Sequence, residues 1–179
     1  IPGSFTKMLT FIDTLLNYAM AGKIIGEMQT VSLGKILQNV IEQFEQESQL
    51  GIVKFKLPAK WPIVRCDVLK MSQVWQNLIG NSIKYRGKLD QVEIKIGTRV
   101  SGIWCECWIE DNGSGIPSLE GNRIFKPFIR LDDSKQGSGI GLATVARILE
   151  AHKGIIRLDS GYHDGARFYM RWPHSVSAR

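Results

Sequence analysis

Stretches of helical period and stretches of strand period follow one another along this chain without regular alternation, and this restricts the architecture more than any other feature. Apolar residues at helical spacing run from Phe5 to Ala19, through Leu33, Ile36, Leu37, Val40, Ile41 and Phe44, and through Val68, Met71, Val74, Trp75, Leu78, Ile79 and Ile83. One more helix fits residues 139–152, ended by Gly154. Residues 52–57 and 63–66 read as short strands interrupted by Pro58 and Pro62. Residues 92–97, 103–110, 155–159 and 166–172 alternate or are β-branched, the last pair joined by a turn at Ser160 to Gly165. A doubly wound parallel sheet needs repeated strand-helix-strand units, and these are missing. The expected fold is therefore α+β, a two-layer sandwich whose single sheet is covered on one side by three helices. Ser32 and Asp67 are placed to cap two of those helices.

The first segment stands apart. Phe5, Leu9, Ile12, Leu16 and Ala19 form one stripe, and Met8, Phe11, Leu15 and Tyr18 a second beside it. So wide an apolar face must be buried, and nothing adjacent in sequence covers it. It reads as a bundle or dimer element cut from a longer protein, the other reading being packing on this chain's own core. The mixed stretch from Ala21 to Thr30 reads as a linker, dividing the chain into residues 1–25 and 26–179.

Composition narrows the class. The 179 residues are 44% apolar and 22% charged, which argues against disorder, and no apolar run approaches the roughly 18–20 residues of a membrane-spanning helix. A soluble, cytoplasmic domain is expected. The net charge of +6 raises an anionic partner, but the basic residues are scattered, so a small phosphate ligand fits as well as a nucleic acid, and no nucleic acid is expected. Of the 3 cysteines, Cys105 and Cys107 alternate to one strand face with Ile103 and Ile109. The histidines at 152, 163 and 174 lack metal-ligand spacing, so reduced core thiols are expected rather than zinc.

Three features carry chemistry. On the helix after Asp67, the side opposite the apolar stripe presents Gln73, Asn77, Asn81 and Lys84 on one line. Mid-helix asparagine costs about 0.5 kcal/mol relative to alanine, so two of them one turn apart suggest a ligand. Amide oxygens suit Mg²⁺ and the lysine suits phosphate. The second feature, Glu110-Asp111-Asn-Gly-Ser-Gly-Ile-Pro117, sets a carboxylate at a strand end before two glycines that let backbone approach a flat ligand, although Asp-Asn-Gly is also ordinary turn chemistry. The third, Gly137-Ser-Gly-Ile-Gly-Leu-Ala143, places three alternate glycines at a helix start, where exposed amides and the helix dipole favour a di- or triphosphate. It matches neither the P-loop nor the dinucleotide fingerprint. Residues 129–136 between these turns have the composition of a mobile lid, from which Arg130 and Lys135 could reach phosphates.

Taken in order, Asn77-Leu-Ile-Gly-Asn81-Ser-Ile-Lys84-Tyr85, Asp111-Asn-Gly-Ser-Gly115-Ile-Pro, Phe125-Lys-Pro-Phe128 and Gly137-Ser-Gly-Ile-Gly141-Leu resemble the N, first glycine, F and second glycine boxes of sensor histidine kinases. The resemblance covers roughly residues 30–173, with an Ile-Lys-Tyr-Arg-Gly ending most like the phytochrome-type branch. It implies the Bergerat ATP-binding fold shared with gyrase, mismatch-repair and chaperone ATPases, with ATP and Mg²⁺ as ligands. By position, Asn81 would hold Mg²⁺, Asn77 and Lys84 would line the triphosphate, and Tyr85 would pack near the base. Asp111 would accept the adenine amino hydrogen, Gly113 and Gly115 would let the purine approach, and Gly137, Gly139 and Gly141 would cradle phosphates. Ile116, Lys135, Ser138 and Leu142 would complete the lining, Phe125 and Phe128 would pack at the lid's base, and Asn77, Lys84 and Arg130 would serve catalysis.

The resemblance also separates reaction types. Hydrolytic relatives carry Glu at the position of Asn77, where it can prepare a water; an amide cannot, which disfavours rapid hydrolysis and leaves phosphoryl transfer to another nucleophile. In the family that nucleophile is a histidine on the first helix of a dimeric hairpin. The segment from Phe5 to Tyr18 resembles the second helix of such a hairpin, which implies a homodimer, a histidine-bearing dimerisation domain and a response-regulator receiver as partners. No histidine precedes His152, so the acceptor is expected elsewhere. Lys126 replaces the usual Glu, Gln73 stands where many members have His, and the lid is short. Two alternatives share the nucleotide site, a catalytically silent regulatory module and an anti-sigma-type serine kinase, but the latter leaves Phe5 to Ala19 unexplained.

Overall fold

The computed structural model describes residues 2–23, 25–135 and 137–174; Ile24 of the expected linker, Gln136 of the expected lid and the 175–179 end of the second segment lie outside the described residues. The elements run α1 (Pro2–Ala21), β1 (Met28–Ser32), α2 (Leu33–Ile41), a 3-10 turn (Glu42–Phe44), α3 (Glu45–Gln49), β2 (Val53–Lys56), β3 (Ile63–Asp67) and α4 (Val68–Lys84). They continue with β4 (Val92–Ser101), β5 (Trp104–Asp111), a 3-10 turn (Ser118–Glu120), α5 (Gly141–Ala151), β6 (Ile155–Leu158) and β7 (Arg167–Pro173).

A mixed five-stranded sheet has the order β2-β4-β5-β7-β6, parallel only at β2-β4. The expectation of one sheet needs correction, because β3 pairs antiparallel with β1 in a separate two-stranded ribbon. The end of the expected linker is therefore a strand. Met28–Ser32 is too short and mixed to announce itself by alternation, and its partner strand is thirty-odd residues away.

Three helices form the second layer as expected. Leu33, Ile36, Leu37 and Val40 of α2, Met71, Val74, Trp75, Leu78 and Ile79 of α4, and Val145, Ile148 and Leu149 of α5 share one buried cluster with the inner sheet face. The two-residue period of β5 sends Cys105, Cys107, Ile109 and Asp111 into this layer and Glu106, Trp108 and Glu110 to the opposite face. Ile103 lies in the β4-β5 turn and is exposed, unlike its expected partners on that strand face.

Caps differ in kind. Asp67 accepts from the backbone N–H groups of Leu69 (3.1 Å) and Lys70 (3.2 Å), satisfying two orphan donors of α4, and also from Gly26 N–H (2.5 Å). Its own N–H donates to His152 Nε2 (3.1 Å), which ties the start of α4 to the end of α5. Ser32 sits at the N-cap position of α2 without a side-chain bond; there the Leu33 N–H is met by Pro62 C=O (3.0 Å).

The first helix docks only in part. Ala21 is buried, Arg147 of α5 stacks on Tyr18 at 4.7 Å and donates to its carbonyl (3.3 Å), and Phe11 lies 5.9 Å from Phe128. Phe5, Met8, Leu9, Ile12, Leu16 and Met20 remain exposed, so most of the stripe read from the sequence is uncovered by this chain.

All three thiols are buried and free. Burial pushes the Cys66 thiol up to about 12, and burial followed by the neighbouring Cys105 raises Cys107 as well. An unfolded thiol ionises near about 8.5, so above that pH the unfolded chain releases protons that the native chain keeps. The resulting stability is complete below that value and is lost as pH rises. Native protein should accordingly resist a thiol-labelling reagent at neutral pH, and its denaturant midpoint should fall between about pH 8 and 10.

Candidate active site

A cleft of about 840 Å³ opens between the helix layer and one end of the sheet, walled by the polar stripe of α4, the turn after β5, the lid, the turn entering α5, Phe168 of β7 and Ala166 just before that strand. It brings together most residues singled out in the sequence. Asn77, Asn81, Lys84, Tyr85, Asp111, Gly115, Ile116, Arg130, Lys135, Gly137, Ser138, Gly139, Gly141 and Leu142 all line it.

Asp111 ends β5 on the helix-facing side and is buried. Its Oδ1 accepts from the N–H groups of Gly113 (2.9 Å) and Ala166 (3.2 Å), and its Oδ2 from the Ser82 hydroxyl (2.7 Å). A carboxylate offers about four lone-pair sites, so one more donor from the cleft can be accepted. Burial raises the carboxyl's pKa above its ordinary value, against the opposing pull of these three bonds.

Gly113 lies outside the cleft lining. A Cβ there would meet the Tyr85 carbonyl at 2.7 Å, so the missing side chain lets the first glycine turn close onto the end of α4 instead of admitting a ligand. Gly115, at φ 74°, faces the cleft with the Gly165 carbonyl behind it. The Ser114 N–H (3.0 Å) and hydroxyl (2.9 Å) both donate to the Tyr85 carbonyl, fixing turn to helix.

One end of the cleft is built from α4 and the second glycine turn. The Lys84 ammonium stands over the Tyr85 ring at 4.8 Å and reaches Gly137, where a Cβ would lie 2.5 Å from Nζ. Asn77 donates from Nδ2 to the Gln73 carbonyl (3.0 Å), leaving Oδ1 directed at Gly141, whose Cβ would come within 3.0 Å of it. Helix α5 begins at Gly141 without a side-chain cap, so its first N–H groups are available to an anion. Gly139, at φ 73°, packs so closely on Phe128 and Ile129 that a Cβ would sit 2.9 Å from their backbone.

Three more expected residues are placed differently. Phe128 is outside the cleft, half exposed and in the left-handed region (φ 66°), with its ring against Phe11 and its N–H donating to the Gly139 carbonyl (2.9 Å). Phe125 packs edge-on against Phe168 at 6.1 Å and joins the core. Arg130 lines the cleft, but its guanidinium donates to the Asp133 (2.9 Å) and Lys135 carbonyls and so braces the lid from within. Asp132 completes that brace by accepting from the Ser134 hydroxyl and from Ser134 N–H (2.9 Å), and these two bonds, the hydroxyl's first, hold its carboxyl below the usual range.

Among the described residues no group of three His, Cys, Asp or Glu could hold a metal. The cleft nevertheless fits Mg²⁺ brought in with phosphates, since that ion keeps several phosphate or water oxygens and needs little from the protein; Asn81 offers an amide oxygen on the wall.

Sequence reasoning missed several lining residues, including Ser82, Glu120, Ile124, Ala166 and Phe168. Ser82 had a signal, a buried hydroxyl on a helix side otherwise apolar. Ala166 and Phe168 had none, because only sheet pairing brings β7 beside Asp111.

This sheet-and-helix sandwich, with an acid and two glycine turns around one cleft, defines an ATP-binding catalytic domain. A family model described as histidine kinase-, DNA gyrase B- and HSP90-like ATPase matches residues 66–176, and the chain belongs to that family. Its curated relatives include histidine kinases and phytochromes. It is 33% identical over 154 residues to the methanogenesis regulatory histidine kinase FilI of Methanothrix harundinacea, covering 86% of this chain and 17% of the relative. It is 31% identical to cyanobacterial phytochrome B of a Nostoc species, covering 92% and 22% respectively. The chain thus spans well under half the length of these curated relatives. Among solved structures, full-length ShkA in complex with AMPPNP shares the fold with a TM-score of 0.79 at 23% identity, over 99% of this chain and 38% of that one. Histidine kinase ThkA in complex with the response regulator TrrA does so with a TM-score of 0.77 at 22% identity, over 99% and 50%. No helix among the described residues is long and apolar enough to cross a membrane.

Proposed function

We propose that this chain binds Mg²⁺-ATP and transfers the γ-phosphoryl group to a histidine on a dimerisation hairpin, for relay to a response-regulator receiver. In this reading residues 1–25 contribute the hairpin's second helix, which pairs in a homodimer of the longer protein, and residues 26–179 are the catalytic unit. The observation that carries it is the convergence of Asp111, Asn81, Lys84 and the 137–141 glycine turn on one cleft.

Asp111 accepts the adenine amino hydrogen at Oδ2, which Ser82 orients. Asn77, Lys84 and the N–H groups from Gly137 to Leu142 hold the phosphates, and Asn81 supplies a ligand to Mg²⁺, which when bound neutralises charge developing on the phosphoryl oxygens. Ile116, Tyr85 and Leu142 flank the base, and Lys135 and Ser138 close over the phosphates. Arg130 reaches phosphate only by giving up its bonds to the lid carbonyls, so it acts after lid rearrangement. The residue on α4 facing Gly141 is an amide that cannot take a proton from water, which leaves the phosphoryl group for an imidazole nucleophile.

The test is titration of ATP with and without Mg²⁺, followed by incubation with a separately supplied hairpin carrying the acceptor histidine. Metal-dependent binding and a labelled hairpin are expected; binding without labelling would favour the silent regulatory module. Asn81→Ala should remove chiefly the Mg²⁺-dependent part of the affinity. An equal loss in EDTA would contradict its metal role.

A further inference from the structure

The five-stranded sheet has a second face, turned away from the helices, whose composition differs from that of an ordinary solvated surface. Pairing aligns Gly97, Trp108, Tyr169 and Arg157 in one row across it. The row on one side carries Lys95, Glu110 and Arg167, and the row on the other Arg99, Glu106 and Arg171. Lys54 and Lys56 extend the face along β2.

The carboxylates of this face are consumed within it. Glu110 pairs with Lys95 (2.7 Å) and Arg167 (2.7 Å), and these partners hold it below the usual carboxylate range although burial would raise it. Glu106 is held low by the Tyr169 hydroxyl and by Arg99, Glu93 pairs with Lys56 (2.8 Å), and Asp159 pairs with Arg167 (3.1 Å). Arg157 and Arg171 have no carboxylate partner among the described residues. They stack instead on Tyr169 (4.7 Å) and Trp104 (4.8 Å); Arg171 lies opposite Glu106 and only adds to the field that holds that carboxyl low, so both guanidinium groups keep N–H donors for a carboxylate from outside.

Trp108 completes the arrangement. Its indole lies on Gly97, where no Cβ could fit, and among the described residues no cation stacks on it. With Arg99, Arg157, Arg167 and Tyr169 it lines a shallow depression of about 630 Å³. A sheet face made only for water has little use for tryptophan, whereas Trp, Tyr and Arg are the residues that dominate binding energy at protein interfaces.

The geometry points to a docking surface for an acidic protein segment, one that sets carboxylates on Arg157 and Arg171 and an apolar side chain over Trp108. The interleaved glutamates favour this occupant over nucleic acid, since a continuous phosphate run would meet Glu106 and Glu110 as well as the arginines. Because β5 alternates, this surface lies on the opposite side of the sheet from Asp111, so it can be occupied together with the cleft and does not depend on what the cleft binds.

The test uses the isotope-labelled chain and a synthetic peptide in which Asp and Glu alternate with Leu, titrated while the indole N–H signals are followed. The Trp104 and Trp108 signals should shift saturably, while those of buried Trp75 and Trp172 stay in place. Arg157→Glu combined with Arg171→Glu should weaken the peptide at least about tenfold, with ATP binding unchanged. Should the double variant fail to fold, Arg157→Glu alone, at an exposed position, should still weaken it at least about threefold. Absent shifts at Trp104 and Trp108, unchanged affinity in the charge-reversed chain, or tighter binding of oligothymidine than of the peptide would each overturn the proposal.

Discussion

Asp111→Asn is expected to weaken ATP binding by roughly 5- to 150-fold, about 1–3 kcal/mol, while leaving the fold intact. The two backbone donors on Oδ1, Gly113 and Ala166, can stay with the amide oxygen, whereas Nδ2 replaces the oxygen that Ser82 orients toward the cleft. A donor would then face the donor on adenine. Burial disfavours the charged carboxylate, so its removal relieves that cost and thermal stability should hold. Calorimetric titration and a melting curve on the same sample separate the two effects. Unchanged affinity would reject Asp111 as the base acceptor, and a large loss of stability would make it a structural residue first.

Gly165→Ala should have the second large effect, this time on the fold and the site together. Gly165 sits at φ 152°, and a Cβ there would lie 1.9 Å from the Asp111 carbonyl oxygen and 2.9 Å from the Asn112 α-carbon, overlapping the backbone of the first glycine turn. Strain and overlap together predict a loss of about 2–4 kcal/mol in unfolding free energy. Relieving the overlap displaces Ala166, whose N–H is a partner of Asp111, so ATP affinity should fall with stability. A denaturation curve within experimental error of the parent chain would show that the turn yields freely.

These two residues also mark how legible the chain was. Asp111 announced itself, because a carboxylate at a strand end before Asn-Gly-Ser-Gly is a local pattern, and so were the amide stripe of α4 and the three alternate glycines before α5. Gly165 lay inside a turn read from the sequence but with no role there, because its partner is fifty-odd residues away and meets it only when β7 pairs with β5. A separation of thirty-odd residues likewise hid the β1-β3 ribbon. Phe128 shows the opposite failure: its motif suggested the lid's base, but a left-handed backbone turns its ring to Phe11.

By itself the sequence determined the layers, the helix faces and the chemical inventory of the cleft, because hydrophobic period, capping and glycine placement act over a few residues. Only the tertiary structure decided how the strands are ordered, which groups orient Asp111, that Arg130 braces the lid, and that an arginine- and tryptophan-bearing face stays open behind the sheet. Those outcomes depend on which distant segments pair, and pairing is set by the burial of the whole core at once.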